Sequence, residues 1–246
     1  MNKPAVVITG CHGGIGRALV RHFHAAAFWV IGIDLASGSA ETDVFIQADF
    51  LLVINNPSEQ KLFSKRLNKA LEGKALKGLV NNAAVQILGD TEAISVEQFR
   101  QSLDINVVAP FLLSQLCLQY LKAAQGVIIN IGSIHNQLTK PGFVAYATSK
   151  GALDTMTKAM AVDIGREVPV NAVAPAAIAT EMLTHGFEDN PAGLTQLESF
   201  HPSGRIGMPT EVAELVYFLV TTKASFINGA TIEMTGGIAG RLHDPA

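Results

Sequence analysis

The sequence predicts one doubly wound α/β domain with a parallel sheet, occupying residues 1–246. Three observations predict it. About seven short apolar runs alternate with helical runs along the whole chain, the order that builds a parallel sheet covered on both faces. No polar linker, charge block, internal repeat or low-complexity segment divides them. The first apolar run, Ala5 to Thr9, opens directly into Gly10, Gly13, Gly14 and Gly16, as a strand does when it passes through a tight turn into a helix N-terminus.

Bulk properties narrow the function. A chain of 246 residues that is 48% hydrophobic can bury a substantial core. Its net charge of -3, with no basic stripe or tail, argues against nucleic acid as a partner. Cys11 and Cys117 are too few and too far apart for a disulfide framework or a thiolate metal cluster. Cys117, inside an apolar periodic stretch, reads as a small buried hydrophobe. The apolar run after Lys3 is short and has no secretory pattern, and no stretch reaches the length of a membrane span. A soluble, cytoplasmic protein without membrane association is expected.

Taken in order, the second strand runs from Trp29 to Ile33 and ends on Asp34, at a distance from the glycines that suits a carboxylate accepting from an adenosine ribose. The small, polar stretch 35–43 is too short for a crossover helix, so a loop or single turn is expected before a third strand, Phe45 to Ala48, that stops at Asp49. Pro57 to Leu71 has helical apolar spacing through Leu62, Phe63, Leu67 and Leu71. Leu76 to Val80 is the fourth strand and runs into Asn81, Asn82, Ala83 and Ala84, small residues that let backbone approach a ligand.

Ser95 and Glu97 mark a helix start. Phe99 to Leu121 is a long helix in which Pro110 predicts a kink or interruption. Asn106 is an unexpected amide in that apolar helix, and a buried amide needs partners. Gly126 to Ile131 is the fifth strand, and it leaves Ser133 at a strand's C-terminal end, where open α/β sheets hold their ligands. In a helix over 145–164, Tyr146 and Lys150 stand one turn apart on one face. Val168 to Ala174, closed by Pro175, is the sixth strand. The aperiodic segment 181–200 suits short helices over a cleft. Pro209 starts the last helix, and Thr231 to Met234 is the last strand.

Together these residues resemble the classical short-chain dehydrogenase/reductase family over essentially the whole chain. The matching pieces are TGCHGGIG at 9–16, Asp34, Asp49, NNAA at 81–84, Asn106, Ser133, YATSK at 146–150, the turn from Pro175 to Thr180, GRIGMPTEVA at 204–213 and TGG at 235–237. The resemblance implies a Rossmann-type fold, a nicotinamide dinucleotide cofactor and hydride transfer between a ketone and a secondary alcohol. It also implies a tetrad of Asn106, Ser133, Tyr146 and Lys150. The implied cofactor contacts are Gly10, His12, Gly14, Ile15 and Gly16 on the loop, then Asp34, Asp49 and Phe50. Further along they are Asn82, Ala83 and Ala84, the pair Tyr146 and Lys150, and Pro175, Ile178 and Thr180. Asp49 is implied to accept from the adenine amino group, and Ile178 with Thr180 to hold the nicotinamide amide. Ala84 and Ala176 stand where the family usually has glycine, and each added methyl narrows the pocket modestly.

The chemistry of those groups is consistent with this reading. Carbonyl reduction leaves charge on oxygen and needs a positioned donor and a proton source. Tyr146 is the expected acid, or base in the oxidative direction, with the Lys150 cation favouring its phenolate. Ser133 would position the substrate oxygen. Asn106, by resemblance, would hold a water that links Lys150 to solvent. His135 is expected to line the substrate pocket, with a plain hydrogen-bonded histidine as the competing reading, and His12 to lie near the phosphate or ribose. NIGSIH lacks the G-x-S-x-G elbow of a serine hydrolase, and no spacing suggests a catalytic metal. The Asp34 carboxylate would repel the 2′-phosphate of NADP, so NAD is the expected cofactor.

Two other functions fit less well. One is a catalytically weak NAD(H)-binding sensor or structural protein, favoured by Ala84 and Ala176 but opposed by the intact tetrad. The other is a dehydratase or epimerase on the same scaffold, for which no second base or larger substrate domain is visible. The resemblance also implies a homodimer or homotetramer built on the helices over 99–121 and 146–164 and on the C-terminal strand.

Overall fold

The computed structural model describes residues 3–38, 41–187 and 190–242. Two residues of the expected 35–43 loop (39 and 40) and two of the expected covering segment (188 and 189) lie outside the described residues.

Seven parallel strands form one sheet in the order β3-β2-β1-β4-β5-β6-β7. They are β1 (Pro4–Thr9), β2 (Trp29–Asp34), β3 (Val44–Gln47), β4 (Ala75–Asn81), β5 (Val127–Ile131), β6 (Val170–Pro175) and β7 (Thr231–Met234). Chain order reverses between β1 and β4, so the crevice at their C-terminal ends is where such a sheet takes a ligand. Strand alternation sends side chains to two cores. On one face Val6, Ile8, Val30 and Val80 pack with α1 (Gly14–Ala25) and α9 (Pro209–Thr221). On the other, Val7, Ile31, Leu76 and Leu79 pack with α2 (Phe50–Asn55), α3 (Pro57–Leu71), α5 (Ala109–Ala124) and α6 (Val144–Ile164). The remaining helices are α4 (Val96–Leu103), α7 (Glu181–His185) and α8 (Pro191–Phe200).

Residues 50–55, left unassigned from the sequence, form α2; the Asp49 side chain caps the helix by accepting from the Leu51 N–H at 2.9 Å, and Asn56 then caps α3. Two features differ from the sequence expectation. Pro110 does not break its helix. Helix runs continuously from Val96 to Ala124, with a π-helical turn over Asp104–Val108 in which the Ala109 N–H reaches back five residues to the Asp104 carbonyl. Pro110 then sits in the first turn of α5, where its missing N–H costs least. That continuous helix is also long and apolar enough to cross a membrane, contrary to the expectation from unbroken apolar runs, yet α5 lies against β4 as part of the domain's second layer.

The other boundaries agree closely. Residues 35–38 and 41–43 contain no helix, and Thr42 folds back over β2, where a Cβ at Gly32 would lie 2.7 Å from its methyl.

Candidate active site

The glycine turn is shaped by close approach. Gly10 has φ +64°, and a Cβ there would meet the Ala83 Cα and the Asn82 amide at 2.9 Å. Gly16 brings the first turn of α1 onto the loop so tightly that a Cβ would lie 1.9 Å from the Gly10 carbonyl oxygen. The chain from β4 locks onto this turn. Thr9 Oγ1 accepts from the backbone N–H groups of Asn82 and Ala83, each at 2.9 Å, while the Asn82 amide donates to the carbonyls of Thr9 and Gly10 at 2.9 and 3.1 Å. Asn82 thus serves the loop, and only its backbone and Ala83 are left to face a ligand.

At the end of β2, both Asp34 oxygens are oriented by backbone donors. Oδ2 accepts from the His12 N–H at 2.9 Å and Oδ1 from the Ala36 N–H at 3.0 Å. Each oxygen keeps a lone pair for a further donor such as a ribose hydroxyl. The His12 ring leans on Phe45, with centroids 5.0 Å apart. The Phe50 ring is buried against Phe63, so only its backbone is available to a ligand. Ile15 packs into the core formed by α1 and α9.

On the far side of the β1–β4 crevice, β5 and α6 bring Ser133, Tyr146 and Lys150 together. All three are buried. Lys150 reaches across to donate from Nζ to the Ile131 carbonyl at 2.8 Å, and burial pulls its pKa down to about 8. Its Nζ lies 5.6 Å from the Tyr146 ring centroid. Burial pushes the Tyr146 phenol above its ordinary value, and the opposing influence is a hydrogen bond with Ser133. Desolvation, and not the expected lowering by Lys150, sets the direction of the shift.

Asn106 is 1% exposed and sits on the π turn. Its Oδ1 accepts from the Val85 N–H at 2.8 Å, and its Nδ2 donates to the Val85 carbonyl and to Ser149 Oγ, both at 2.9 Å. Ser149 Oγ in turn donates to the Tyr146 carbonyl at 2.7 Å.

A tight glycine turn after β1 and a buried Ser-Tyr-Lys group after β5 thus both stand at C-terminal strand ends of one sheet. A family model described as enoyl-(acyl carrier protein) reductase, of the short-chain dehydrogenase type, matches residues 10–239. The chain belongs to the short-chain dehydrogenase/reductase family. Among curated relatives it is 34% identical over 250 residues to a 2,5-dichloro-2,5-cyclohexadiene-1,4-diol dehydrogenase of Sphingobium indicum, covering 96% of this chain and 97% of that one. The ligand-free aldohexose dehydrogenase of Thermoplasma acidophilum superposes with TM-score 0.91 at 29% identity, over 100% of this chain and 97% of the other. A 4-hydroxyisoleucine dehydrogenase complexed with NADH matches with TM-score 0.86 at 27% identity, over 98% and 100% of the two chains. ElxO with NADP bound matches with TM-score 0.85 at 25% identity, over 97% and 100%. This family member is an NAD(P)(H)-dependent oxidoreductase acting on alcohol- or ketone-type substrates.

The remaining expected residues of this dehydrogenase lie around the same crevice. The Thr180 methyl is close enough to block a Cβ at Gly14, which would come within 2.8 Å, and Thr180 caps α7. Ile178 bridges to Gly207, and Pro175 ends β6 beside β7. The His135 ring stacks on Phe143 at 4.5 Å and turns its edge to Tyr146 at 5.6 Å. Lys140 Nζ lies 4.7 Å from the Phe143 ring centroid, and burial together with Lys140 lowers the His135 pKa to about 4. Val85 and Phe143 carry no motif that marks them in the sequence, whereas Ser149 lies within YATSK. Only the Ser149 spacing, three residues after Tyr146 on the same helix, is a local signal.

Proposed function

We propose that this protein interconverts a secondary alcohol and its ketone with NAD(H), using Ser133, Tyr146 and Lys150 at the reacting oxygen and Asn106 to position them. The observation that carries the proposal is the convergence of a buried phenol, hydroxyl and ammonium at the β5 edge of the crevice opened by the glycine turn. The protein's residues fit a dinucleotide: Gly10 and Gly16 let the loop close onto the chain after β4 and onto the first turn of α1, which makes a tight turn at a helix N-terminus, and the Asp34 carboxylate is held at the loop's edge by two backbone donors. When bound, the dinucleotide supplies or accepts the hydride.

The protein moves the proton. A phenol held protonated by burial is suited to donate from its Oη to a carbonyl oxygen as charge develops there. In the oxidative direction Tyr146 takes the hydroxyl proton, and Ser133 hydrogen-bonds the same substrate oxygen. Lys150 stabilises the resulting phenolate and offers a donor toward the nicotinamide side. The Asn106 side chain has its hydrogen bonds committed to Val85 and Ser149, so it acts as a positioning residue. Pro110, four residues on, has no N–H to return to the Asn106 carbonyl, which supports that carbonyl as the group that would hold a water.

A carboxylate at Asp34, with no basic residue directly after it, supports NAD over NADP. The stacked His135 and Phe143 rings make a flat wall beside Tyr146, and α7 and α8 are the elements suited to cover a substrate there. Relatives named for a cyclohexadienediol and for aldohexoses favour a cyclic alcohol as substrate. Exposed Phe111 and Val162 on α5 and α6 support a homodimer or homotetramer through those helices. A screen of cyclic diols, sugars and small secondary alcohols with NAD, read as NADH absorbance, tests this function. Turnover of one class supports it; NADH binding without turnover of any class would favour a sensor.

A further inference from the structure

The glycine turn brings together three side chains that the proposed hydride transfer leaves partly unused. Cys11 follows Gly10 and is 1% exposed, with its Sγ beneath β2 where a Cβ at Gly32 would come within 2.8 Å of it. His12 is next. Its Nδ1 is 3.8 Å from Asp34 Oδ2, and both ring nitrogens are enclosed with no hydrogen-bond partner among the described residues. Ligand-type atoms of Cys11, His12 and Asp34 all lie within 4.8 Å of one another.

An imidazole enclosed with neither nitrogen satisfied is costly. A bound cation would give a ring nitrogen the partner it lacks, with the Cys11 sulfur and the Asp34 carboxylate beside it as further donors. We propose that Cys11, His12 and Asp34 form a site for a soft divalent cation of the zinc class, and that filling it excludes an adenosine ribose from Asp34.

The donor set of sulfur, nitrogen and carboxylate oxygen is that of zinc. Ligands around a tetrahedral zinc stand roughly 3.3–3.8 Å apart, given metal–ligand bonds of about 2.0–2.3 Å. For a nitrogen and an oxygen ligand the spacing is about 3.3–3.6 Å, so the His12–Asp34 pair at 3.8 Å needs only a small inward movement. On binding, the thiol loses its proton to solvent as the metal–sulfur bond forms, the imidazole binds neutral, and the carboxylate binds ionised. The metal takes the free lone pair of Oδ2, whose other lone pair accepts from the His12 N–H. A ribose that donates one hydroxyl to each Asp34 oxygen would need that same lone pair, so the exclusion half of the proposal rests on reading Asp34 as the acceptor of both ribose hydroxyls. Sequence spacing conceals the site because Asp34 arrives from β2, 22 residues after His12.

Cobalt(II), a spectroscopic stand-in for zinc, tests it on the intact protein. Titration should produce a near-ultraviolet thiolate-to-cobalt absorption band, bleached by stoichiometric zinc. The band should be absent in Cys11→Ala and retained in Cys117→Ala. Saturating NADH, its binding followed separately by its own fluorescence, should raise the apparent cobalt dissociation constant about tenfold or more. Cys11→Ala should bind NADH within about twofold of wild type, since it removes no group assigned to the cofactor. No band at millimolar cobalt, or a band that survives Cys11→Ala, overturns the site. A band unmoved while NADH is bound overturns the exclusion. Failure of NADH to bind at all would contradict the proposed function and the exclusion with it, whereas the metal site would still stand or fall on the cobalt band and its loss in Cys11→Ala.

Discussion

Asn106 and Val85 clasp each other, with the amide of one side chain accepting the backbone N–H of the other residue at 2.8 Å and donating to its carbonyl at 2.9 Å. This pairing ties the π turn to the segment that follows β4, and a third bond from the same amide reaches Ser149, the residue before Lys150. The crevice wall and the reactive helix are thus joined through one side chain.

Asn106→Ala should leave the Val85 N–H and carbonyl without partners in a buried site, at a cost of about 2 kcal/mol. For a chain of this size that corresponds to a drop of about 4–8 °C in Tm, read by thermal melting. Asn106→Asp keeps the acceptor and should recover part of the loss. A melt unchanged in the alanine variant would show that the clasp contributes nothing to stability.

Gly16→Ala should abolish dinucleotide binding. Its Cβ would lie 1.9 Å from the Gly10 carbonyl oxygen, so the loop must move. NADH fluorescence titration is expected to show at least tenfold weaker binding, or about 1.4 kcal/mol. Affinity equal to wild type would mean that the turn does not contact the cofactor.

Cofactor choice is tested at Asp34. Replacing it with Asn removes the charge that repels a 2′-phosphate, so the ratio of kcat/KM for NADPH over NADH should rise about tenfold or more. NADH efficiency itself should fall, because the single amide oxygen cannot accept from both the His12 and the Ala36 N–H groups. A wild-type preference for NADPH would contradict the assignment.

Lys150 gives a pH dependence whose sign follows from burial. Its pKa is about 8 in the folded chain and 10.5 as the reference value. Between those values the unfolded chain binds more protons, so the penalty of burying the ammonium is fully present below pH 8 and fades as pH rises toward 10.5. The stability difference, wild type minus Lys150→Met, measured by denaturant unfolding, should therefore move in favour of wild type across that window. A difference that stays flat would show that Lys150 is not desolvated in the resting site.

Much of this architecture is legible in the residues, because period and punctuation agree. Pro57–Leu71 and Thr231–Met234 occur with the bounds read from the sequence. Where local preference and tertiary demand part, sequence and structure diverge. Phe50–Asn55 is β-prone in composition yet becomes helix between two capping side chains, Asp49 and Asn56. The π turn over Asp104–Val108 inserts a residue and shifts the helical phase, and no residue type in that stretch marks it in advance. The reactive cluster is legible as residue types, whereas the partners of Asn106 are not: Val85 and Ser149 lie 21 and 43 residues away. Nor does spacing report burial, which is why the Tyr146 phenol shifts opposite to the direction expected from its neighbouring lysine.

Proton transfer by Tyr146 is the central step, and Tyr146→Phe isolates it by removing one hydroxyl while keeping the ring against His135 and Phe143. With whichever alcohol the screen identifies, single-turnover NADH formation should fall by at least about a hundredfold, the lower range for loss of a general acid–base group. NADH affinity should stay within about twofold, because the contacts of Asp34 and the glycine turn are untouched. Turnover equal to wild type with NADH affinity retained would contradict the mechanism.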